Sequence, residues 1–195
     1  MTILNYKLTP TNELLTARTG LLTLAHLMQS LDLGKAINRH FPASNSNSAF
    51  KASTFINTLV LSQHEGGKCL DDTLHIAKDK ALSLLLQQKI PTPQVIGTWL
   101  RRLGKDNQGI TALSEVNKIL LSAALHNRKN ITLDIDATEV IANKANAQWT
   151  YTIYKKHKGY MPMVGHIAQT GQIVATDFRQ DCVQNHRTLD ITWKQ

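Results

Sequence analysis

The stretch that most constrains the fold is residues 131–138 (ITLDIDAT), in which apolar and polar side chains alternate. This alternation has the period of two that is typical of a β-strand. Side chains two residues apart on a strand share a face, so Asp134 and Asp136 project together. The apolar side chains expected to be buried on the opposite face are Ile131, Leu133 and Ile135. The chain is therefore predicted to contain a strand that carries two carboxylates on one face.

Two carboxylates on one strand face repel each other unless a cation compensates them. A Mg²⁺ or Mn²⁺ ion bound by one or two carboxylates, with water and phosphate oxygens completing its shell, would supply that charge. The alternative is an edge strand whose acidic residues simply face water. The pattern of Asp134 and Asp136 alone leaves both interpretations open.

The sequence before this strand has helical rather than strand periodicity. Apolar residues fall at helical spacing over residues 12–41, 50–63 and 110–125, and Gly20 and Gly34 are expected to divide the first of these runs. After the strand, residues 159–169 and 172–179 are strand candidates, joined by a hairpin signal at residues 170–171. The sequence therefore predicts an α+β protein with a helical region at 1–128 and a second region at 129–195.

One predicted helix has strong signals at both of its ends. Thr92 is a candidate N-cap, Pro93 suits the first helical position, and Gly104 follows the last turn. Following another helix and a tight turn, it suggests a helix-turn-helix. The side expected to pack inward carries Val95, Ile96, Trp99, Leu100 and Leu103. The residues expected to approach DNA are Gln94, Thr98, Arg101, Arg102 and Lys105. The alternative is a packing helix with a polar face.

The composition favours an anionic partner. Lysine and arginine number 22 against 14 aspartates and glutamates, a formal net charge of +8, and nucleic acid is the leading candidate partner. Cys69 and Cys182 lie far apart, so neither a disulfide framework nor a zinc site is indicated. No apolar run approaches the roughly 18 residues that span a bilayer, and the start of the chain lacks a signal peptide. A cytoplasmic location without a membrane partner is therefore expected.

Three segments together resemble a known family. They are residues 133–138 (LDIDAT), 154–162 (YKKHKGYMP) and 171–179 (GQIVATDFR). In order and spacing they resemble the DDE transposases of bacterial insertion sequences, whose catalytic domain has the RNase H-like (retroviral-integrase) fold. In that family the first catalytic Asp precedes a small residue and then Ser or Thr. The resemblance therefore assigns the catalytic role to Asp136, with Asp134 as its neighbour or the alternative.

The resemblance also implies a function. The complete family cleaves and joins DNA strands by metal-assisted phosphoryl transfer, and it needs a second Asp on a later strand and a Glu on a helix far downstream. Residues 129–195 resemble only the first three strands and first helix of that domain, so the chain is expected to be truncated and inactive alone. Whether it acts as an enzyme is left open. Mg²⁺ or Mn²⁺ held by Asp136 and Asp134 is expected only if the full site is present.

The expected partners are the terminal inverted repeats of the transposon, together with a second copy of the chain or the intact transposase. Two alternative functions remain. The chain would act as a DNA-binding inhibitor of the intact enzyme, or it would be a non-functional remnant that folds poorly.

Residues 151–160 form the densest basic and aromatic segment of the chain. Lysines there would neutralise phosphates, and aromatic rings would stack on exposed bases. The candidates for such contacts are Lys155, Lys156 and Lys158, with Arg179 near the end of the third strand. The alternative is a solvated hairpin loop with tyrosines closing the core. A second acidic pair, Asp71 and Asp72, is interpreted as helix capping rather than catalysis.

Overall fold

The computed structural model describes residues 2–3, 6–7, 9–43, 49–128, 130–149 and 158–178. Its helices are α1 (Gly20–Ser30), α2 (Leu33–His40), α3 (Ala52–His64), α4 (Thr73–Ala77), α5 (Lys80–Leu85), α6 (Pro93–Leu103) and α7 (Gln108–Leu125). Single 3-10 turns occur at Leu70–Asp72 and Lys105–Asn107. The strands are β1 (Thr2–Ile3), β2 (Tyr6–Lys7), β3 (Leu133–Ala137), β4 (Val140–Ile141), β5 (Gln148–Trp149), β6 (Lys158–Tyr160), β7 (Met163–Ile167) and β8 (Ile173–Asp177).

The chain divides into two compact units, Met1–Val116 and Asn117–Gln195. The first unit holds α1 to α6 and the start of α7, and the second holds the end of α7 and strands β3 to β8. Helices combined with small antiparallel sheets agree with the predicted α+β class. The dividing point lies inside α7, whereas the predicted boundary at residue 128 follows its end; that boundary stays a prediction. Among the described helices, none combines the length and the apolar character needed to cross a bilayer.

The helical unit is built on one apolar cluster. It joins α1, α3, α4 and α5 to the segment before α6 through Leu21, Leu61, Ile76, Leu82 and Ile90. Leu61, Ile76 and Leu82 are at most 1% exposed, so this cluster removes nearly all of their apolar surface from water. Burial of this kind contributes about 1.5–3 kcal/mol for each large aliphatic side chain.

The first predicted helical run breaks at a different residue from the one expected. The break lies at Asp32, which adopts a left-handed conformation (φ 51°), because aspartate tolerates that region better than most residues. The prediction of a break at Gly34 is wrong, since Gly34 lies in the first turn of α2. Gly20 is the first residue of α1, and residues 12–19 before it are not helical.

Two glycines determine the end of α3. Gly66 has a φ of +94°, which favours glycine, and the Gly67 N–H donates to the Ser62 carbonyl at 2.9 Å. A Cβ on Gly67 would lie 2.6 Å from Ser62 Oγ, so a larger residue would clash where the chain turns back. The glycine pair therefore ends the helix both by conformation and by close approach.

The second unit contains two small antiparallel sheets, with strand orders β3-β7-β8 and β4-β6-β5. The β7–β8 hairpin is confirmed. The predicted strand 159–169 is instead split at Met161–Pro162 into β6 and β7, which belong to different sheets. The split occurs there because proline has no N–H to donate to a neighbouring strand. The short strand β5 pairs with β6 on the side opposite to β4.

Candidate functional site

The two aspartates of β3 lie on one face of the β3-β7-β8 sheet. In the antiparallel register Asp134 is opposite His166 of β7, and Asp136 is opposite Val164. Thr176 of β8 lies beyond Val164 on the same face, because directly paired residues point the same way. Both aspartates are exposed, so the strand presents two carboxylates to solvent as the alternation predicted.

The opposite face of β3 is less buried than expected. Ile131, Leu133 and Ile135 keep 43%, 39% and 42% of their surface exposed. Ile135 pairs with Gly165, which has no side chain to cover it; a Cβ built there would lie 3.8 Å from Ile135 Cγ1. The prediction that these side chains are buried is therefore wrong for the described structure.

The two aspartates have different contacts. Asp134 Oδ2 lies 3.7 Å from His166 Nε2, which is within ion-pair reach but longer than a hydrogen bond. Asp136 Oδ1 instead accepts the N–H of Ala137 at 2.8 Å, a contact within its own strand. The His166 and Asp134 side chains are 36% and 62% exposed, so solvent screens their attraction. The strand thus holds one carboxylate beside an imidazole and one beside an apolar residue.

Contacts at the turn of the β7–β8 hairpin fix this register. The Gln169 side chain receives the Thr132 N–H at 3.0 Å on Oε1 and donates from Nε2 to Thr132 Oγ1 at 2.9 Å. The Ala168 N–H donates to the Thr132 carbonyl at 3.0 Å. Gly171, with φ +71°, closes the turn that places Gln169 beside β3. A slip of one residue would move both carboxylates to the other face, so these bonds hold the site in place.

The donor set is suited to a hard divalent cation. Carboxylates two apart on a strand are separated by about 6.6 Å along the chain, and Mg²⁺ is commonly held by one or two carboxylates with water and phosphate oxygens completing its shell. The part of the chain that the structure describes contains no group of three or more acidic, histidine or cysteine side chains placed to hold a metal ion. Asp134 and Asp136 therefore offer two oxygen ligands of the kind that such an ion takes, and too few to hold it by themselves.

The predicted helix-turn-helix segment forms α6. The Thr92 hydroxyl accepts the Val95 N–H at 3.4 Å as N-cap, Pro93 opens the helix, and Gly104 follows its end, all as predicted. The whole set expected to approach DNA is exposed: Gln94, Thr98, Arg101 and Arg102 on α6, and Lys105 in the 3-10 turn that follows it. Arg101 Nη2 donates to Thr98 Oγ1 at 3.2 Å, and Thr98 donates to the Gln94 carbonyl at 3.0 Å. These bonds align polar side chains along one face of the helix.

The opposite face of α6 is anchored by Trp99. Its ring stacks on Phe55 of α3, with centroids 4.6 Å apart and planes 9° apart, and on Phe41 after α2 at 5.9 Å. The other buried apolar residues of the helix are Ile96 and Leu103. Val95 and Leu100 were expected to pack inward but are 41% and 38% exposed, because they lie at the margins of the buried stripe.

A family model supplies the decisive comparison. The model of "Transposase DDE domain group 1" matches residues 7–191, which is nearly the whole chain. The chain belongs to this family. The resemblance to DDE transposases is thereby confirmed, while an origin in a bacterial insertion sequence stays a prediction. Searches of the curated proteins and of the solved structures found no match.

Part of the basic surface predicted for this DDE transposase chain falls outside the described residues. Lys155, Lys156 and Arg179 lie there, whereas Lys158 is exposed in β6. Tyr160 makes a packing contact: its ring lies 5.1 Å from that of Phe178, and its hydroxyl donates to Asn146 Oδ1 at 2.7 Å. Tyr160 is therefore held by contacts within the protein, on the surface beside Phe178, which is 66% exposed.

Other acidic side chains of the chain have structural roles. Asp72 Oδ2 accepts the backbone N–H groups of Cys69 at 2.9 Å and of Lys68 at 2.6 Å, and these bonds lower its pKa. This confirms that Asp72 caps a helical turn. Burial alone would raise the pKa of Asp79, but hydrogen bonds from Thr16, the Leu82 N–H and Arg18 outweigh it and lower that pKa.

Sequence reasoning missed two residues of the site, His166 and Gln169. Asp134, the neighbour of His166, is 32 positions earlier in the chain and is reached only through strand pairing. The hairpin at residues 170–171 joins β7 to β8, so it does not fix the register of β3 against β7, and no local signal could have found this pair.

Proposed function

We propose that this chain acts in DNA transposition, as the DNA-binding helical region and the first catalytic strand of a bacterial insertion-sequence transposase. The observation that carries the proposal is β3, which lies within the family match and exposes Asp134 and Asp136 on one face. The antiparallel order β3-β7-β8 is the order in which an RNase H-like domain begins, and it supports that assignment for residues 129–195.

In this proposal Asp136 is the first catalytic carboxylate and Asp134 its neighbour at the metal. When bound, Mg²⁺ or Mn²⁺ supplies Lewis-acid activation of the attacking oxygen and stabilisation of the leaving oxygen of a phosphodiester. The contribution of β3 is to hold its carboxylates at fixed spacing on a solvent-facing surface. The Ala137 N–H bond to Asp136 Oδ1 restricts the rotation of that carboxylate and so orients it.

The DNA contacts are proposed to come from α6. Arg101, Arg102 and Lys105 would neutralise phosphates, and Gln94 and Thr98 would reach base edges, because amide and hydroxyl side chains read hydrogen-bonding groups in the major groove. The formal net charge of +8 favours association with DNA over the whole molecule. Nearer the cut end, the proposed phosphate contacts are Lys155, Lys156, Lys158 and Arg179.

The proposal extends to what the chain does by itself. A two-metal phosphoryl-transfer site needs carboxylates that converge from several elements, and the described residues bring together only Asp134 and Asp136. We therefore expect the isolated chain to bind transposon ends without cleaving them. A DNA-binding regulator that occupies those ends and inhibits the intact transposase is the second candidate, since the exposed polar face of α6 is complete in the structure.

Binding of the purified chain to duplexes covering the flanking inverted repeats tests this function. The Arg101→Ala/Arg102→Ala variant should weaken binding and reduce the salt slope by about two, one for each lost phosphate contact. The matched control, Lys35→Ala/Lys51→Ala, removes two exposed charges from other parts of the helical unit and should change the slope little.

Three outcomes of this experiment would contradict the proposal. The first is equal binding of inverted-repeat and scrambled duplexes at moderate salt. The second is an equal loss of binding in the two double variants. The third, for the isolated chain, is robust strand cleavage in Mg²⁺ or Mn²⁺. Inhibition of the intact transposase by added chain would favour the regulatory role.

A further inference from the structure

The side chain of Arg101 is folded back along α6 toward Thr98 and Gly97. Its Nη2 donates to Thr98 Oγ1 at 3.2 Å. A Cβ built on Gly97 would lie 3.5 Å from Arg101 Nη1 and 3.9 Å from Nη2, so the guanidinium also packs over this glycine. Helical side chains lean toward the N-terminus, and residues three and four apart share a face, which brings Arg101 to these two neighbours. The guanidinium is therefore held both by a hydrogen bond and by close packing.

The Thr98 hydroxyl that accepts this bond is itself oriented. It donates to the Gln94 carbonyl at 3.0 Å and so uses its only hydrogen. It can therefore offer Arg101 only a lone pair, and the bond between them has one direction. The next residue, Arg102, is also exposed, but it makes no hydrogen bond or ion pair within the part of the chain that the structure describes. The helix thus presents one arginine whose guanidinium is fixed and one whose guanidinium is not.

A fixed guanidinium has an advantage in binding an oxyanion. Its N–H donors form a planar fork, and two of them can bind one phosphate at the same time. Because Thr98 receives a bond from Nη2 alone, donors of Nε and Nη1 stay available in set directions. A side chain that is already ordered loses less freedom when it binds, and ordering one long side chain costs about threefold to tenfold in affinity.

We propose that Thr98 is a positioning residue for Arg101, and that it holds the guanidinium ready for a bidentate contact with one phosphate of the DNA backbone. This inference rests on the proposed function, because it concerns a phosphate contact of α6 in the same complex. It gives Thr98 a role through Arg101, separate from any contact of its own with a base. Arg102 contributes its charge without this ordering.

Binding of the full chain to the inverted-repeat duplex over a series of salt concentrations tests this role. Thr98→Val removes the hydroxyl but keeps the shape of the side chain and a similar helix propensity. It should weaken binding about threefold to tenfold without changing the salt slope, because the same number of phosphates is neutralised. Arg101→Ala should instead reduce the slope by about one. Thr98→Ser, which restores the hydroxyl, should bind as wild type.

Thr111→Val is the matched control. Thr111 is an exposed threonine of α7 whose hydroxyl donates to the Asn107 carbonyl four residues earlier at 3.3 Å, in the same way that Thr98 donates to Gln94. Removing this hydroxyl takes away a bond of the same kind from a helix outside the proposed surface. The affinity and the salt slope should both stay at their wild-type values.

A double variant separates positioning from a direct contact between Thr98 and DNA. In the Arg101→Ala background no guanidinium remains to be held, so adding Thr98→Val should weaken binding less than twofold. An equal loss in both backgrounds would mean that Thr98 acts by itself, and it would overturn the positioning role while DNA binding by α6 stands. Wild-type affinity of Thr98→Val, or failure of Thr98→Ser to restore binding, would have the same meaning. If wild type binds inverted-repeat and scrambled duplexes equally, the proposed function and this inference are both overturned.

Discussion

Replacing Trp99 with alanine should strongly destabilise the helical unit and, where the variant unfolds, remove the proposed DNA-binding surface with it. Trp99 is 5% exposed and is stacked between Phe55 and Phe41, which joins α6 to α3 and to the end of α2. The exposed polar residues of α6 have no comparable anchor of their own, because they lie on the solvent side of the helix. The geometry of the proposed DNA contacts therefore depends on this indole more than on the smaller buried side chains of α6, Ile96 and Leu103.

The size of the effect follows from the buried area. A tryptophan in this setting buries about 150–250 Å², which at about 25 cal/mol per Å² corresponds to about 4–6 kcal/mol. Truncations of buried aromatic residues to alanine cost about 3–5 kcal/mol in well-packed cores. We therefore expect Trp99→Ala to lower the free energy of unfolding by about 4 kcal/mol, against a total of about 5–15 kcal/mol for an ordinary domain.

Urea unfolding followed by circular dichroism at 222 nm measures this loss. Leu100→Ala is the matched control, since Leu100 is the next residue of the same helix but 38% exposed. We expect the control to lose clearly less, about 1–2 kcal/mol, because a side chain that stays 38% exposed moves less apolar surface out of water on folding. Trp99→Phe should lie between wild type and Trp99→Ala, since a phenylalanine ring retains part of the stacking with Phe55.

DNA binding supplies the second measurement. At temperatures where Trp99→Ala is unfolded by dichroism, its affinity for the inverted-repeat duplex should fall with the folded fraction, while Leu100→Ala binds as wild type. The reasoning is refuted if Trp99→Ala loses no more than about 1 kcal/mol, or if both variants are destabilised equally. Either result would mean that the aromatic stack does not anchor α6.

Two further predictions concern polar contacts away from α6. Because the pKa of Asp79 is lowered in the folded chain, its charge stabilises the fold above about pH 4 and that contribution is lost as the pH falls through the folded pKa. The difference in melting temperature between wild type and Asp79→Asn should thus shrink between pH 7 and pH 3, and a constant difference would contradict this. Gln169→Ala should speed hydrogen exchange of the Thr132 amide about fivefold, because that amide loses a hydrogen bond worth about 1 kcal/mol. The amides of α6 are the control and should exchange unchanged. Unaltered exchange at Thr132 would show that Gln169 does not fix the register of β3.

The parts of the fold that follow from local sequence were predictable. The start and end of α6 depend on the hydroxyl of Thr92, the fixed φ of Pro93 and the glycine at 104, all within the helix or next to it. The end of α3 depends in the same way on Gly66 and Gly67. Each of these signals acts over a few residues, so no knowledge of the rest of the fold is required.

Features that depend on pairing or on competition between local preferences were not predictable. The break between α1 and α2 lies at Asp32, which adopts a left-handed conformation. Glycine interrupts helices more often than aspartate does, yet the nearby Gly34 lies inside α2. The sheet β4-β6-β5 uses strands of two or three residues, too short for an alternation to be recognised. The contact between Asp134 and His166 joins positions 32 apart, which only the register specifies.

The two proposed functional surfaces are stabilised in different ways. α6 presents its polar face from a helix whose other side is fixed by Trp99 in a buried aromatic stack, so its geometry is set by tertiary packing. β3 presents its carboxylates from a three-stranded sheet. Its apolar residues Leu133 and Ile135 remain about two fifths exposed. A sheet of this size depends on burial of its apolar face for independent stability. Strand register, fixed by Gln169 and Thr132, therefore matters more for the carboxylates than core packing does. Because local opening is easiest where few apolar contacts hold an element, DNA binding should be the more robust of the two properties, and metal binding the one most sensitive to changes that loosen the β7–β8 hairpin.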